Sequence, residues 1–282
     1  MSKTVLITGC SANGIGAAIA SSLAERGHHV FATARDTSKI PADLAAHPAV
    51  TTLTLDVKSR DSIAAATAVV AESGRGLDVL VNNAGGGYAM PILDIDIDRA
   101  KELYDLNVWA QIAVIQAFSS QLIARHGRIV NISTCAVPMH TPWISTYVSS
   151  KAAFTSYSET LRLELAPLGV DVATIMVGTV DSLFHVNDPF TLPTGSRYEP
   201  IEKTIAGWAS GELKPKGIPN AKFADMIVDD VTGQSGRTGL IWKGPNAGSL
   251  AAMSKWAPQS LCDATMSYNQ GLKELAATNA EK

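Results

Sequence analysis

Seven short apolar runs, each followed by enough chain for a helix, constrain this sequence more than any other feature. They are TVLIT (4–8), HVFATA (29–34), VTTLTL (50–55), LDVLVN (77–82), GRIVNIS (127–133), VDVATIM (170–176) and TGLIW (238–242). Their length and β-branched content read as strands. The segments between them carry a helical period: Ile15, Ile19 and Leu23 recur every four residues in 15–26, and 60–73 and a long piece from about 97 to 124 are also of helical length. Hairpins would need two-residue turns where this chain inserts whole helices. The economical solution is an α/β fold: a Rossmann-type, doubly wound parallel sheet of about seven strands, with right-handed crossovers and helices on both faces. Near-continuous Val, Ile and Leu in the runs agrees with burial from both sides.

No fixed-period repeat and no Gly/Ser-rich linker divides the 282 residues, so a single domain over 1–282 is expected, with a substantial core. The stretch from about 183 to 220 breaks the strand–helix alternation and is rich in Pro, Gly and aromatics, which reads as a substrate lid. Charge is nearly balanced, 23 basic against 26 acidic residues, without a basic run, so no nucleic-acid partner is expected. Cys10, Cys135 and Cys262 are far apart and lack any CxxC or Cys/His grouping; neither a disulfide framework nor a metal site is expected, and a reducing compartment fits. Uncharged stretches at 4–24, 106–124 and 129–150 are each broken by Asn, Gln, Ser, Gly or Pro, so no membrane-spanning helix is expected. The start MSKTVLITG lacks the features of a secretory leader. The expected location is the cytoplasm, free or peripheral to membranes or lipid droplets.

The first run leads into Thr8-Gly9-Cys10-Ser11-Ala12-Asn13-Gly14-Ile15-Gly16 and then a helix, the setting in which glycines let backbone approach a pyrophosphate at a positive helix end. The second run ends at Ala34-Arg35, with no carboxylate at 32–35 and Asp36 next. An acidic residue at that strand end binds the ribose hydroxyls of NAD, whereas an Arg accommodates the 2′-phosphate of NADP. NADP(H) is therefore the expected cofactor; the bland alternative for Arg35 is a solvated loop charge.

Further motifs follow in order: Asp56-Val57 after the third run, Asn82-Asn83-Ala84-Gly85 after the fourth, Asn107 within LNV, and Tyr147-Val148-Ser149-Ser150-Lys151. Together with the glycine turn these residues resemble the short-chain dehydrogenase/reductase family, strongly over about 4–182. LITGCSANGIG, HVFATAR, SRYEPIEKTI and GLIWKGPNAG extend the similarity to a fungal branch related to NADPH-dependent 1-acyldihydroxyacetone-phosphate reductases, which includes reductases of natural-product pathways. The resemblance implies Tyr147, Lys151, Asn107 and a hydroxyl residue as catalytic groups, with Lys151 also bonding the nicotinamide ribose and Asn107 supporting a water that links to Lys151. It implies Gly9, Ser11, Asn13, Gly14, Ile15, Arg35, Asp56, Val57, Asn83, Ala84, Gly85, Tyr147, Lys151, Val180 and Ser182 as cofactor contacts.

Spacing alone supports part of this. Tyr147 and Lys151 are four apart on a helical segment and share a face, and a neighbouring ammonium favours the phenolate, which would lower the Tyr pKa. Counting thirteen residues back from Tyr147, where the family carries its hydroxyl, lands on Thr134, with Ser133 beside it; both stay open. The glycine turn is one residue longer than the common pattern, and Val177-Gly178 replaces the usual Pro-Gly.

The expected function is hydride transfer from NADPH to a ketone of a bulky polyketide-like or lipid-like substrate. The alternatives are an acyl dihydroxyacetone phosphate reductase and a non-catalytic NADP-binding sensor or scaffold. No GxSxG elbow supports a hydrolase. In 183–220 the cations Arg197, Lys203, Lys214 and Lys216 are balanced by Asp188, Glu199, Glu202 and Glu212, while Leu183, Phe184, Phe190, Leu192, Tyr198 and Trp208 form an apolar set. Val108, Ile112, Ile115 and Phe154 read as apolar surplus on two helices that pair across a two-fold axis in the family, so a homodimer or homotetramer is expected.

Overall fold

The seven expected strands pair in one parallel sheet in the computed structural model, which describes residues 2–182 and 190–280. They are β1 (Thr4–Ile7), β2 (His29–Ala34), β3 (Val50–Thr54), β4 (Val79–Asn82), β5 (Arg128–Thr134), β6 (Asp171–Val177) and β9 (Gly239–Lys243), arranged β3-β2-β1-β4-β5-β6-β9. Two further strands of two residues each, β7 (Val180–Asp181) and β8 (Ile218–Pro219), pair with each other in parallel outside the sheet. The helices are α1 (Ile15–Glu25), α2 (Ala42–Ala45), α3 (Arg60–Glu72), α4 (Ile97–Tyr104), α5 (Ala110–Ala124), α6 (Ser145–Leu165), α7 (Glu202–Ala209), α8 (Asn220–Thr232), α9 (Ala247–Trp256), α10 (Gln259–Ser267) and α11 (Leu272–Ala280).

Period-two alternation sends successive residues of each buried strand to opposite layers. Val5, Ile7, Val79, Val81, Val130 and Ile132 face α1, α2 and α8. Leu6, Phe31, Leu80, Ile129 and Val172 face α3, α5 and α6. Every strand of the sheet is parallel, so all their C-terminal ends lie along one edge. The order reverses between β1 and β4, and a crevice opens there.

The long helix expected at 97–124 forms as a single rod with a defect: α4 and α5 are joined by a π-helical turn, Asp105–Trp109, that carries Asn107. The i→i+5 bond that defines such a turn leaves no periodicity signature in five residues, so the sequence pattern does not reveal it. Val108, Ile115 and Phe154, read from sequence as apolar surplus, are instead buried in the core layer with α3 and α6, and Ile112 packs against that layer. Apolar side chains left outside on this rod and on α6 include Ile97, Trp109, Tyr157 and Leu163; Trp109 and Tyr157 meet edge-to-face with ring centroids 6.0 Å apart.

In the lid region, Leu183, Phe184 and Asp188 lie outside the described residues. From 190 onward the chain makes a 3-10 turn at Glu199–Ile201, then α7, and returns through β8, whose partner β7 is fastened by a Lys214–Asp181 ion pair at 2.6 Å. Among the described residues no helix is long and apolar enough to cross a membrane. The three cysteines are buried and unbridged.

At the opposite edge of the sheet, Arg128 is 3% exposed and binds three elements together. It donates to the Asp230 carbonyl at the end of α8 (2.9 Å), to the Asp171 carboxylate at the start of β6 (3.2 Å), and to the Arg237 carbonyl before β9. Burial pulls its pKa down, while Asp171 and Asp230 oppose that shift. Arg128→Met removes these donors and leaves the buried Asp230 carbonyl without this partner. It is expected to lower the unfolding free energy by about 3 kcal/mol, read by urea denaturation.

Candidate active site

The crevice is shaped first by its glycines. Gly9 has φ +76°, and a Cβ there would lie 3.0 Å from the Ala84 Cα, so the turn after β1 passes against the chain leaving β4. A Cβ on Gly16 would come within 2.5 Å of the Asn83 side chain and the Gly9 carbonyl. Asn83 closes this arrangement, donating from Nδ2 to the Thr8 (2.8 Å) and Gly9 (3.0 Å) carbonyls, while the Thr8 hydroxyl accepts from the Asn83 and Ala84 amides at 2.9 Å. Ser11 and Asn13 stand exposed on the loop, with Asn13 at φ +60°. Helix α1 starts at Ile15 after Gly14 without a side-chain cap, which leaves its first-turn amides for an anion.

At the end of β2, Arg35 is exposed and makes no hydrogen bond or ion pair among the described residues. The adjacent Asp36 carboxylate is turned away: it accepts from the Ser38 amide (3.0 Å) and hydroxyl (2.6 Å), which hold its pKa below the usual carboxylate value. The cation, and not the carboxylate, is free at this strand end. The Asp56 side chain accepts from the Lys58 amide after β3, and Val57 is buried beside it. This donor set, with an uncapped helix, a side-chain-free cradle and an unpaired cation, fits a dinucleotide carrying a 2′-phosphate.

The second half of the site rests on β5 and α6. Three side chains of α6, spaced i, i+4 and i+7, are bonded to consecutive residues of β5. Lys151 Nζ donates to the Ile132 carbonyl (2.9 Å), the Thr155 and Ser133 hydroxyls share a hydrogen bond (2.7 Å), and Ser158 accepts from Asn131 Nδ2 (2.8 Å). Asn82 of β4 extends the chain, donating to Asn131 Oδ1 at 2.9 Å. The Ser133 hydroxyl is thus committed to Thr155 inside the protein. Thr134, one residue on, is hydrogen-bonded to Tyr147.

Tyr147 is half-buried at the end of the crevice. Burial pushes its pKa up to about 12, against the opposing effect of the Thr134 bond. The sequence reading, in which the neighbouring ammonium lowers the phenol pKa, is corrected here: desolvation dominates, and Lys151 directs its charge at the Ile132 carbonyl. Lys151, 6% exposed, is itself pulled down by burial to about 8. Asn107 projects from the π-helical turn, accepting from the Gly86 amide and donating to the Gly86 carbonyl and the Ser150 hydroxyl, all at 3.0 Å. Asn107 and Lys151 both border Gly85, where a Cβ would stand 3.1 Å from Asn107 Oδ1 and 3.4 Å from Lys151 Nζ. Val180 sits in β7 and Ser182 just after it, past the end of β6.

An apolar cluster meets Tyr147. Tyr88, Met90, Leu103 and Leu192 are buried together, with Tyr147, Phe190 and Tyr198 packed against them. Tyr88, Met90, Thr155, Ser158 and Asn131 were not singled out from sequence. The one available signal, for Thr155 and Ser158, is a polar stripe along a helix face that otherwise packs on a sheet.

A family model for short chain dehydrogenases matches residues 3–188. "Short-chain dehydrogenase PC-15" of Penicillium crustosum is 41% identical over 256 residues, 90% of this chain and 91% of that protein. The NADPH-dependent 1-acyldihydroxyacetone phosphate reductase of Schizosaccharomyces pombe is 34% identical over 268 residues, 89% of each chain. A crystal structure of a short chain dehydrogenase from Burkholderia cenocepacia in complex with NADP superposes with a TM-score of 0.76 over 94% of this chain and 97% of that one, at 22% identity, a likeness of fold.

The Lys151 shift has a testable sign. The folded pKa near 8 lies below the ordinary value of 10.5, so between these limits the unfolded chain binds more protons and the contribution of this group to stability rises with pH. Lys151→Met abolishes that contribution. Urea denaturation of both proteins from pH 7 to 10 is expected to show wild type gaining stability relative to the variant above pH 8.

Proposed function

The chain belongs to the short-chain dehydrogenase family, and from that premise we propose that it is an NADPH-dependent reductase of a bulky, hydrophobic ketone, polyketide-like or lipid-like, with Tyr147 as proton donor. The observation that carries this reading is the placement of Tyr147 between the Thr134 hydroxyl and an apolar, aromatic cluster. A carbonyl group seated against Thr134 and Tyr147 has its hydrophobic remainder among Tyr88, Met90, Phe190, Leu192 and Tyr198.

Gly9, Ser11, Asn13, Gly14 and Ile15 hold the cofactor pyrophosphate, Arg35 the 2′-phosphate, and Asp56 and Val57 the adenine end. Asn83, Ala84 and Gly85 line the middle of the crevice, Lys151 binds the nicotinamide ribose, and Val180 and Ser182 serve the carboxamide and phosphates. Bound NADPH supplies the hydride. Tyr147, whose high pKa keeps it protonated at neutral pH, gives its proton to the carbonyl oxygen that Thr134 holds by a hydrogen bond. Lys151 is charged below about pH 8 and stands one helical turn from Tyr147, where it would hold the nicotinamide ribose and supply a proton to the phenol through water. Asn107 fixes the Gly86 backbone and thereby the floor of this end.

A phosphorylated ketone is the second reading, favoured by the likeness to the yeast reductase. The disposition of the lid cations supports the neutral ketone instead. Lys214 is paired with Asp181, and Arg197, Lys203 and Lys216 stand on exposed surface while Leu192 and Ile205 turn inward. A sensor needs no proton donor, and an intact Tyr147–Thr134 pair argues against one. The exposed Trp109, Tyr157 and Leu163 support pairing with a second copy, as a homodimer or within a homotetramer.

Tyr147→Phe is expected to cut turnover about 10²–10⁴-fold with cofactor affinity kept. Thr134→Val is expected to cost turnover as well, whereas Ser133→Ala loses mainly stability, about 1 kcal/mol. Steady-state kinetics beside thermal unfolding separates these outcomes, and retained turnover in Tyr147→Phe removes the assignment.

Cofactor and substrate choice are read together by following NADPH and NADH oxidation over neutral cyclic or aromatic ketones and acyl dihydroxyacetone phosphate, at low and high salt. NADPH is expected to be preferred, Arg35→Ala to erode that preference, and the neutral ketones to match or exceed the phosphorylated one in kcat/KM. A strong, salt-sensitive preference for the phosphorylated ketone overturns the substrate reading.

A further inference from the structure

Beyond the sheet, the turn between α10 and α11 touches both the loop that precedes α6 and the helix of the lid region. Two indoles donate to two consecutive carbonyls of this turn: Trp208 Nε1, on α7, to Asn269 (2.8 Å), and Trp143 Nε1, two residues before α6, to Gln270 (3.2 Å). The turn is shaped to offer both carbonyls, with Asn269 at φ +58° and Gly271 at φ +77°; a Cβ on Gly271 would press on Ile201 at 3.2 Å.

Trp143 is held from every side. It is 7% exposed, sits at φ +71°, and its carbonyl accepts from the Met90 amide at 2.6 Å. A non-glycine residue in the left-handed region persists only where its surroundings over-determine it. Its ring stands edge-to-face on Tyr198 with centroids 5.5 Å apart. Leu272 and Leu275 of α11 pack on the same cluster as Trp143, Ile201 and Ile205. Met90 and Tyr198 in turn belong to the cluster that meets Tyr147. An unbroken set of contacts therefore runs from the C-terminal turn, through Trp143, to the wall of the pocket.

We propose that the C-terminal turn 268–271 is a specificity-determining strap: by bonding Trp143 and Trp208 it holds Met90 and Tyr198 in place as the pocket wall that selects bulky ketones. Trp143 and Trp208 are positioning residues, acting through Met90 and Tyr198. The strap lies beyond the part of the chain that the family model matches. The inference rests on the ketone-reductase reading for its substrate and on these contacts for its mechanics.

The test uses the full-length protein with Trp143→Phe, Trp208→Phe and both together, changes that keep an aromatic ring while removing the indole donor and the second ring that carries it. For each, kcat and KM are measured with NADPH for a bulky cyclic ketone and for a small aliphatic one, and amide hydrogen exchange is followed over 140–144, 202–209 and 268–275. The expected result is a KM for the bulky ketone raised about 3–10-fold per lost bond, the size of one net hydrogen bond, with kcat changed less than twofold and the small ketone's KM unmoved. Exchange should accelerate in all three segments when either indole is changed.

Equal increases in KM for both ketones, or a lower melting temperature with KM unchanged and faster exchange confined to the altered residue, overturn the strap. A wild type that oxidises NADPH with none of the ketones overturns the reductase reading and the strap's role with it. A wild type that reduces them, with variants that retain its KM values, overturns the strap alone.

Discussion

The bonding of α6 to β5 is the constraint on which the rest of the site depends. A helix rises about 1.5 Å per residue and a strand about 3.3 Å, so nothing in their regular geometry keeps a given pair of residues opposite one another. Apolar packing alone would tolerate a slide. Here Lys151, Thr155 and Ser158 each have a specific partner on β5, and a shift of one turn would strand these buried groups at about 1–3 kcal/mol apiece. Polar groups inside a core layer set position where apolar ones set only proximity. The Tyr147–Thr134 bond is the outermost member of that series, at the edge where the strands end.

The two halves of the crevice are built by opposite means. On the β1 side there is little side chain: Gly9 and Gly16 bring three backbone segments together, and Asn83 stitches them. On the β5 side, side chains fill the space and burial shifts both Tyr147 and Lys151 towards their neutral forms. The first half suits a large anion that must meet amides. The second suits a reaction in which a proton is kept until it is needed.

Much of this was legible in the sequence, and what was not has physical causes. Apolar runs marked β1, β2, β4, β5 and β6 because a strand buried on both faces has no polar alternation to confuse the reading, and the partly buried edge strands β3 and β9 showed through their β-branched and aliphatic residues. Glycine and the Tyr147–Lys151 spacing marked the two halves of the crevice. Ser133 and Thr134 could not be told apart, because neighbouring strand residues face opposite layers and the phase at the strand end depends on where β5 stops. The pKa of Tyr147 was misjudged because spacing shows a neighbour's charge and hides desolvation. Val108, Ile115 and Phe154 were misread as surplus because the π-helical turn and the depth of the α3–α5–α6 layer are tertiary facts.

That π-helical turn has a consequence for how the chain tolerates change. It inserts about one residue beyond what an α-helix would use to climb the same distance, and one residue is about 100° of rotation. Leu103 of α4 therefore points into the pocket cluster while Val114 and Phe118 of α5 point into the sheet layer, although all three lie on one continuous rod. Deleting a single residue between 105 and 109 would straighten the rod and, by the same rotation, put the two stretches out of phase. The rod works as a phase coupler, and its length is fixed to the residue by two different packing surfaces.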